Sequence, residues 1–106
     1  MSVYMTPSEF DAACRALVAE CPWLSETSGR RSTERNARVG GHPESKHVIG
    51  MARDFVASQQ GMEQAQAVAN RLGLTTKLHD VGSGAHLHTQ GLPVGPVPDW
   101  WATKYA

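Results

Sequence analysis

The 106-residue sequence lacks several features that define whole classes of protein. Its only cysteines, Cys14 and Cys21, form no CxxC pair, which argues against a thiolate metal site and gives no disulfide framework. Ten basic residues balance ten acidic ones, so there is no basic field for nucleic acid and no polybasic patch for a membrane. No apolar run approaches the roughly 20 residues of a membrane span. The length fits one domain, residues 1–106, expected to be monomeric.

The N-terminus also lacks a secretory signal, because no charged segment followed by an apolar run is present. The sequence therefore predicts synthesis in a cytoplasm. Any action outside the cell would then require release by another component.

Capping signals predict two helices. Thr6, Pro7 and Glu9 form a capping box with proline at the first helical position, and that helix should end near Glu20. Its apolar stripe includes both cysteines, which are predicted to be buried and free. The second helix should span about 59–72, with Gly73 after it as a C-terminal cap.

Alternating polar and apolar residues predict a short strand that enters a turn within 24–32 and another strand around 52–56. Two further strands, 75–81 and 85–90, are joined by Gly-Ser-Gly and are predicted to form a hairpin. The proline-rich tail from Gly91 is predicted to be extended and packed over the surface by Trp100, Trp101 and Tyr105. Together these patterns predict an α+β domain in which two helices pack on a small, mostly antiparallel sheet.

Three histidines and one aspartate are the candidate chemical groups. His86 and His88 should project to the same face of their strand, because side chains alternate along a strand. Asp54 lies in an otherwise apolar strand, where a carboxylate is costly unless it is paired or binds a metal. A salt bridge to Arg31 or Arg38 would also explain it. His47 can approach Asp54, because Gly50 permits a tight turn between them.

These residues belong to a longer motif. The chain contains the string S-x-H-x-x-G-x-A-x-D, formed by Ser45, His47, Gly50, Ala52 and Asp54, and His86-x-His88 follows downstream. With the segments 28–32 and 36–41, this pattern resembles the zinc D-Ala-D-Ala carboxypeptidases, which are grouped with lysostaphin-type peptidases and the hedgehog domain. The resemblance covers about residues 27–91 and implies that fold. It also implies one Zn²⁺ held by His47, Asp54 and His88.

The resemblance implies further roles. His86 would support the ligands or the transition state, although a shifted alignment would make His86 the third ligand in place of His88. Asp80 is assigned as the general base, because it is the one carboxylate within reach before the histidine pair. Arg31 would hold the negative oxygen of the transition state or a substrate carboxylate. Ser45 would bind substrate or cap its loop.

The implied activity is hydrolysis of a peptidoglycan stem-peptide bond by zinc-activated water, as a D,D-carboxypeptidase or an L-Ala-D-Glu endopeptidase. The implied partner is a peptidoglycan peptide, with no nucleic acid and no membrane. Such an enzyme would be made in a bacterial cytoplasm and released to the cell wall, in the manner of a phage endolysin. The alternative is a zinc-binding interaction domain of the same fold without peptidase activity, which the unusual position of the base favours.

Overall fold

The computed structural model describes residues 4–29, 46–47, 49–80 and 85–106. Within them the helices are α1 (Pro7–Glu20), α2 (Gln59–Arg71) and α3 (Asp99–Tyr105), and the strands are β1 (Ser25–Ser28), β2 (Ala52–Val56), β3 (Thr75–Asp80) and β4 (Ala85–Gln90). The sheet has the order β1-β2-β4-β3, and every neighbouring pair is antiparallel. The predicted α+β class is confirmed. No helix in the described ranges is long and apolar enough to cross a membrane.

Local capping chemistry sets the ends of the first two helices. The Thr6 hydroxyl accepts from the Glu9 amide at 3.1 Å, and the Glu9 carboxylate accepts from the Thr6 amide at 2.8 Å. This reciprocal pair is the predicted capping box. The Ser58 hydroxyl caps α2 by accepting from the Gly61 amide at 3.0 Å. After α2 the chain reverses through Gly73 at φ +90°, a conformation that favours glycine.

The hydrophobic core lies between α1, α2 and one face of the sheet. Phe55 of β2 and Leu87 of β4 are fully buried there, together with Phe10 and Leu17 of α1. Cys14 and Cys21 are buried and free, as the apolar stripe predicts. Because side chains alternate along a strand, the residues between these core positions project to the opposite face. That opposite face of β2 and β4 carries the polar groups described below.

The tail differs from its prediction. Residues 99–105 form α3, so an extended conformation there is wrong. Trp101 is 1% exposed, and its indole nitrogen donates to the Met5 carbonyl at 2.9 Å. Trp100 is 57% exposed and stacks edge-on against Tyr4. Adjacent residues of a helix point in different directions, which is why one tryptophan joins the core and its neighbour lies on the surface.

Candidate metal centre

The pairing of β2 with β4 brings the predicted residues together. Asp54 lies directly opposite His88 in this antiparallel pair. The carboxylate and the imidazole share the sheet face that α1 and α2 leave uncovered, and His86 joins them as residue i−2 of the same strand. The predicted common face of the two histidines is therefore confirmed, since both side chains approach Asp54.

A tight turn brings His47 to the same point. The Gly50 amide donates to the His47 carbonyl at 3.2 Å, and the Met51 amide donates to the Lys46 carbonyl at 2.8 Å. Gly50 has φ +75°, so glycine relieves the strain of this turn just before β2. As a result His47, which is 2% exposed, lies beside a carboxylate that is seven residues further along the chain.

The interatomic distances define a compact cluster. His47 Nε2 lies 3.2 Å from Asp54 Oδ2, and His88 Nδ1 lies 2.9 Å from Asp54 Oδ1. One ligand atom from each of these three residues lies within 4.8 Å of the other two. His86 Nε2 is farther away, at 4.0 Å from Asp54 Oδ2. Among the described residues, the two histidines nearest the carboxylate are therefore His47 and His88.

In each of the two rings, the outer nitrogen, which faces away from Asp54, has a carbonyl or amide oxygen as its partner. His47 Nδ1 lies 2.8 Å from the Gly29 carbonyl oxygen, and His88 Nε2 lies 2.8 Å from Gln90 Oε1. A carbonyl or amide oxygen only accepts, so each outer nitrogen carries the proton and donates. Sequence analysis did not identify Gly29 or Gln90. The alternation that paired His86 with His88 would have placed Gln90 on the same face, whereas the Gly29 contact has no sequence signal.

Asp54 is charged in spite of its burial. Burial opposes ionisation of the carboxylate, but hydrogen bonds from His47 and His88 and the nearby positive charge of these rings outweigh it. They hold the pKa of Asp54 well below its usual range. The centre therefore presents a buried anion with an imidazole on either side.

This donor set fits a zinc ion. With a proton on each outer nitrogen, the inner nitrogens face Asp54, where either a proton or a cation must lie between each of them and the carboxylate. Zinc prefers such histidine nitrogens and carboxylate oxygens. Ligands bound tetrahedrally at about 2.0–2.1 Å are separated by roughly 3.3 Å, and one ligand atom from each of the three side chains lies within 4.8 Å of the other two. The His47, Asp54 and His88 side chains can therefore close around Zn²⁺ by a small contraction of the cluster.

Other predicted site residues lie outside the described part of the chain. Arg31, Arg38 and Ser45 fall in the range 30–45, and only the backbone of Asp80 is described. Asp80 is the last residue of β3, where it pairs with Ala85 of β4. The roles assigned to Asp80, Arg31 and Ser45 thus stay predictions, as does an ion pair between Asp54 and either arginine.

Comparison with known families agrees with the site. The His-Asp-His cluster is a group of side chains that could hold a metal ion, and a sequence model of the peptidase M15 family matches residues 12–90. The match covers more than half of the chain, and it includes His47, Asp54, His86 and His88. The chain belongs to the peptidase M15 family. No curated protein and no solved structure matches it significantly.

Proposed function

We propose that this protein is a zinc peptidase that hydrolyses a stem-peptide bond of bacterial peptidoglycan. The bond is either the terminal D-Ala-D-Ala bond, cut by a carboxypeptidase, or an internal bond such as L-Ala-D-Glu, cut by an endopeptidase. The observation that carries the proposal is the convergence of His47, Asp54 and His88 on one buried point of the sheet. The peptidase M15 family supplies the reaction class, which is peptide hydrolysis.

In this proposal His47 Nε2, Asp54 and His88 Nδ1 hold the zinc ion. Bound zinc lowers the pKa of a coordinated water to about 7 and polarises a carbonyl group. The distances support His88 over His86 as the third ligand, because His88 Nδ1 lies 2.9 Å from the Asp54 carboxylate and His86 Nε2 lies 4.0 Å away. Two ligands on paired strands and a third on a tight turn give a site whose geometry is set before substrate arrives.

The remaining residues handle protons and substrate. His86 is buried beside the ligands, where a ring N–H can donate to the oxygen that becomes negative as the carbonyl is attacked. Asp80 takes a proton from the attacking water and returns it to the departing amine. Arg31 pairs with that oxygen or with a substrate carboxylate, and Ser45 binds the peptide.

The substrate class sets where the enzyme works. Peptidoglycan lies outside the cytoplasmic membrane, so the proposal places the activity at the cell wall, after release of the protein in the manner of a phage endolysin. A peptide substrate needs no basic surface, which is consistent with the equal numbers of acidic and basic residues.

Digestion of purified peptidoglycan tests the proposal directly. The zinc-loaded protein is incubated with cell walls and with soluble muropeptides, with and without a chelator, and the products are identified by mass spectrometry. We expect new free amino and carboxyl ends at one stem-peptide bond, lost with the chelator and regained with zinc. Zinc binding without any cleavage would instead indicate an interaction domain of the same fold.

A further inference from the structure

Gln90 is a buried polar side chain at the end of β4 that the peptidase reaction itself does not use. It is 7% exposed and lies two residues after His88, on the same face of the strand. Its Oε1 atom lies 2.8 Å from His88 Nε2, and its Nε2 atom donates to the Leu92 carbonyl at 2.6 Å. Both ends of the amide therefore have defined partners.

The Leu92 contact determines which way the amide faces. A carbonyl oxygen only accepts, so the NH₂ group of Gln90 must be the end that faces Leu92. The oxygen of the amide then faces His88, and His88 Nε2 must carry the proton. The remaining ring nitrogen, Nδ1, lies 2.9 Å from Asp54 Oδ1 and is the nitrogen left to bind a metal ion. A single side chain thus selects both the tautomer and the orientation of the His88 ring.

We propose that Gln90 is a positioning residue that presents His88 Nδ1 to the metal. This inference rests on the proposed function, because it assumes that His88 is a zinc ligand. The two histidine ligands differ in how they are held. His47 donates to the backbone carbonyl of Gly29, which any substitution retains, whereas His88 donates to a side chain. Within the described residues, the geometry of His88 is therefore a part of the centre that one side-chain substitution can alter without touching a ligand.

Two substitutions separate positioning from simple packing. Gln90→Met keeps the size of the side chain but removes the acceptor for His88 and the donor to Leu92. Gln90→Glu keeps an acceptor for His88 but turns an oxygen towards the Leu92 carbonyl, which should lower stability. If Gln90 acts only by packing, zinc affinity should follow stability in both variants. If it positions His88, Gln90→Glu should keep its affinity although it is less stable.

The primary measurement is zinc affinity, obtained by competition with a chromophoric chelator. Loss of a partner that orients a metal ligand typically weakens binding by about 10- to 100-fold, and we expect this loss in Gln90→Met and an affinity within about 3-fold of wild type in Gln90→Glu. Thr89→Val is the matched control, because Thr89 is fully buried in the same strand and bonds the Arg53 carbonyl on the other face. It should lose stability but not zinc affinity. Should Gln90→Met not fold, Gln90→Asn provides the same test, since its shorter amide cannot hold both contacts.

A second readout is the hydrogen bond from His88 to Gln90 itself. In ¹H–¹⁵N correlation spectra the Nε2 proton of His88 should be protected from exchange in the wild type, where it donates to Gln90, and should exchange faster in Gln90→Met. Undiminished zinc affinity in Gln90→Met would overturn the role of Gln90 alone. Failure of the wild-type protein to bind zinc would instead overturn the proposed function.

Discussion

Replacing Asp54 by asparagine should abolish the stabilisation of this protein by zinc. Asn is nearly the same size as Asp, so the substitution removes the negative charge and one acceptor with little change in packing. The carboxylate accepts from both ligand histidines and is 5% exposed, so solvent cannot replace it. Without it, the centre retains two neutral imidazoles, which bind zinc far more weakly than the complete set.

The magnitude follows from linkage between binding and folding. With free zinc at one hundred times the dissociation constant, binding stabilises the folded state by about 2.7 kcal/mol. For a domain of this length that corresponds to a rise in Tm of roughly 10–20 °C. A substitution that weakens binding 100-fold leaves about 0.4 kcal/mol, or roughly 2–3 °C. Loss of a direct ligand should weaken binding at least that much, because losing only an outer partner already costs about 10- to 100-fold.

The assay compares thermal unfolding of chelator-treated protein before and after zinc is added. Each variant is its own reference, so a change in the stability of the zinc-free protein cancels. Asp11→Asn is the matched control: it makes the same chemical change in an exposed carboxylate that pairs with Arg53 at 2.9 Å, and it should keep the full shift. An equal shift in Asp54→Asn and wild type would refute the assignment of the metal to this centre.

The remaining predictions concern stability. Trp101→Ala should lower the free energy of unfolding by about 3–5 kcal/mol, because Trp101 is 1% exposed and lies in the core. Trp100→Ala should lower this free energy much less, and urea denaturation measures both variants. Gly73→Ala should cost about 1–2 kcal/mol in the same assay, because Gly73 has φ +90°. Burial raises the pKa of the Cys14 thiol from 9.0 to about 11, so the unfolded chain loses this proton first. The stabilisation that comes from keeping the buried Cys14 thiol protonated is therefore complete below pH 9. It is lost as the pH rises to 11, by up to about 3 kcal/mol. The urea midpoint should therefore be lower at pH 10.5 than at pH 8, and a midpoint that did not fall would contradict this prediction.

Local signals account for the elements that sequence analysis predicted correctly. The Thr6–Glu9 capping box and the glycine that follows the second helix, Gly73, act within a few residues, so their sequence signatures are sufficient. Helix α3 has only seven residues and follows a proline-rich segment, so no 3.6-residue pattern could develop. Its formation depends on a tertiary contact, the burial of Trp101 against the N-terminal segment at Met5, which no local pattern encodes.

The candidate metal centre was predictable to the extent that it follows strand alternation. Alternation places Asp54 and His88 on one face of their strands, but it does not say that they lie opposite each other. A shift of one residue in the pairing of β2 with β4 would bring Leu87 opposite Asp54 and turn the histidine towards the core. The observed register pairs Phe55 with Leu87 directly beside the Asp54–His88 pair, and both apolar side chains are fully buried. The apolar packing on one face of the sheet thus fixes which polar groups meet on the other, so a substitution that loosened Phe55 should disturb zinc binding without touching a ligand.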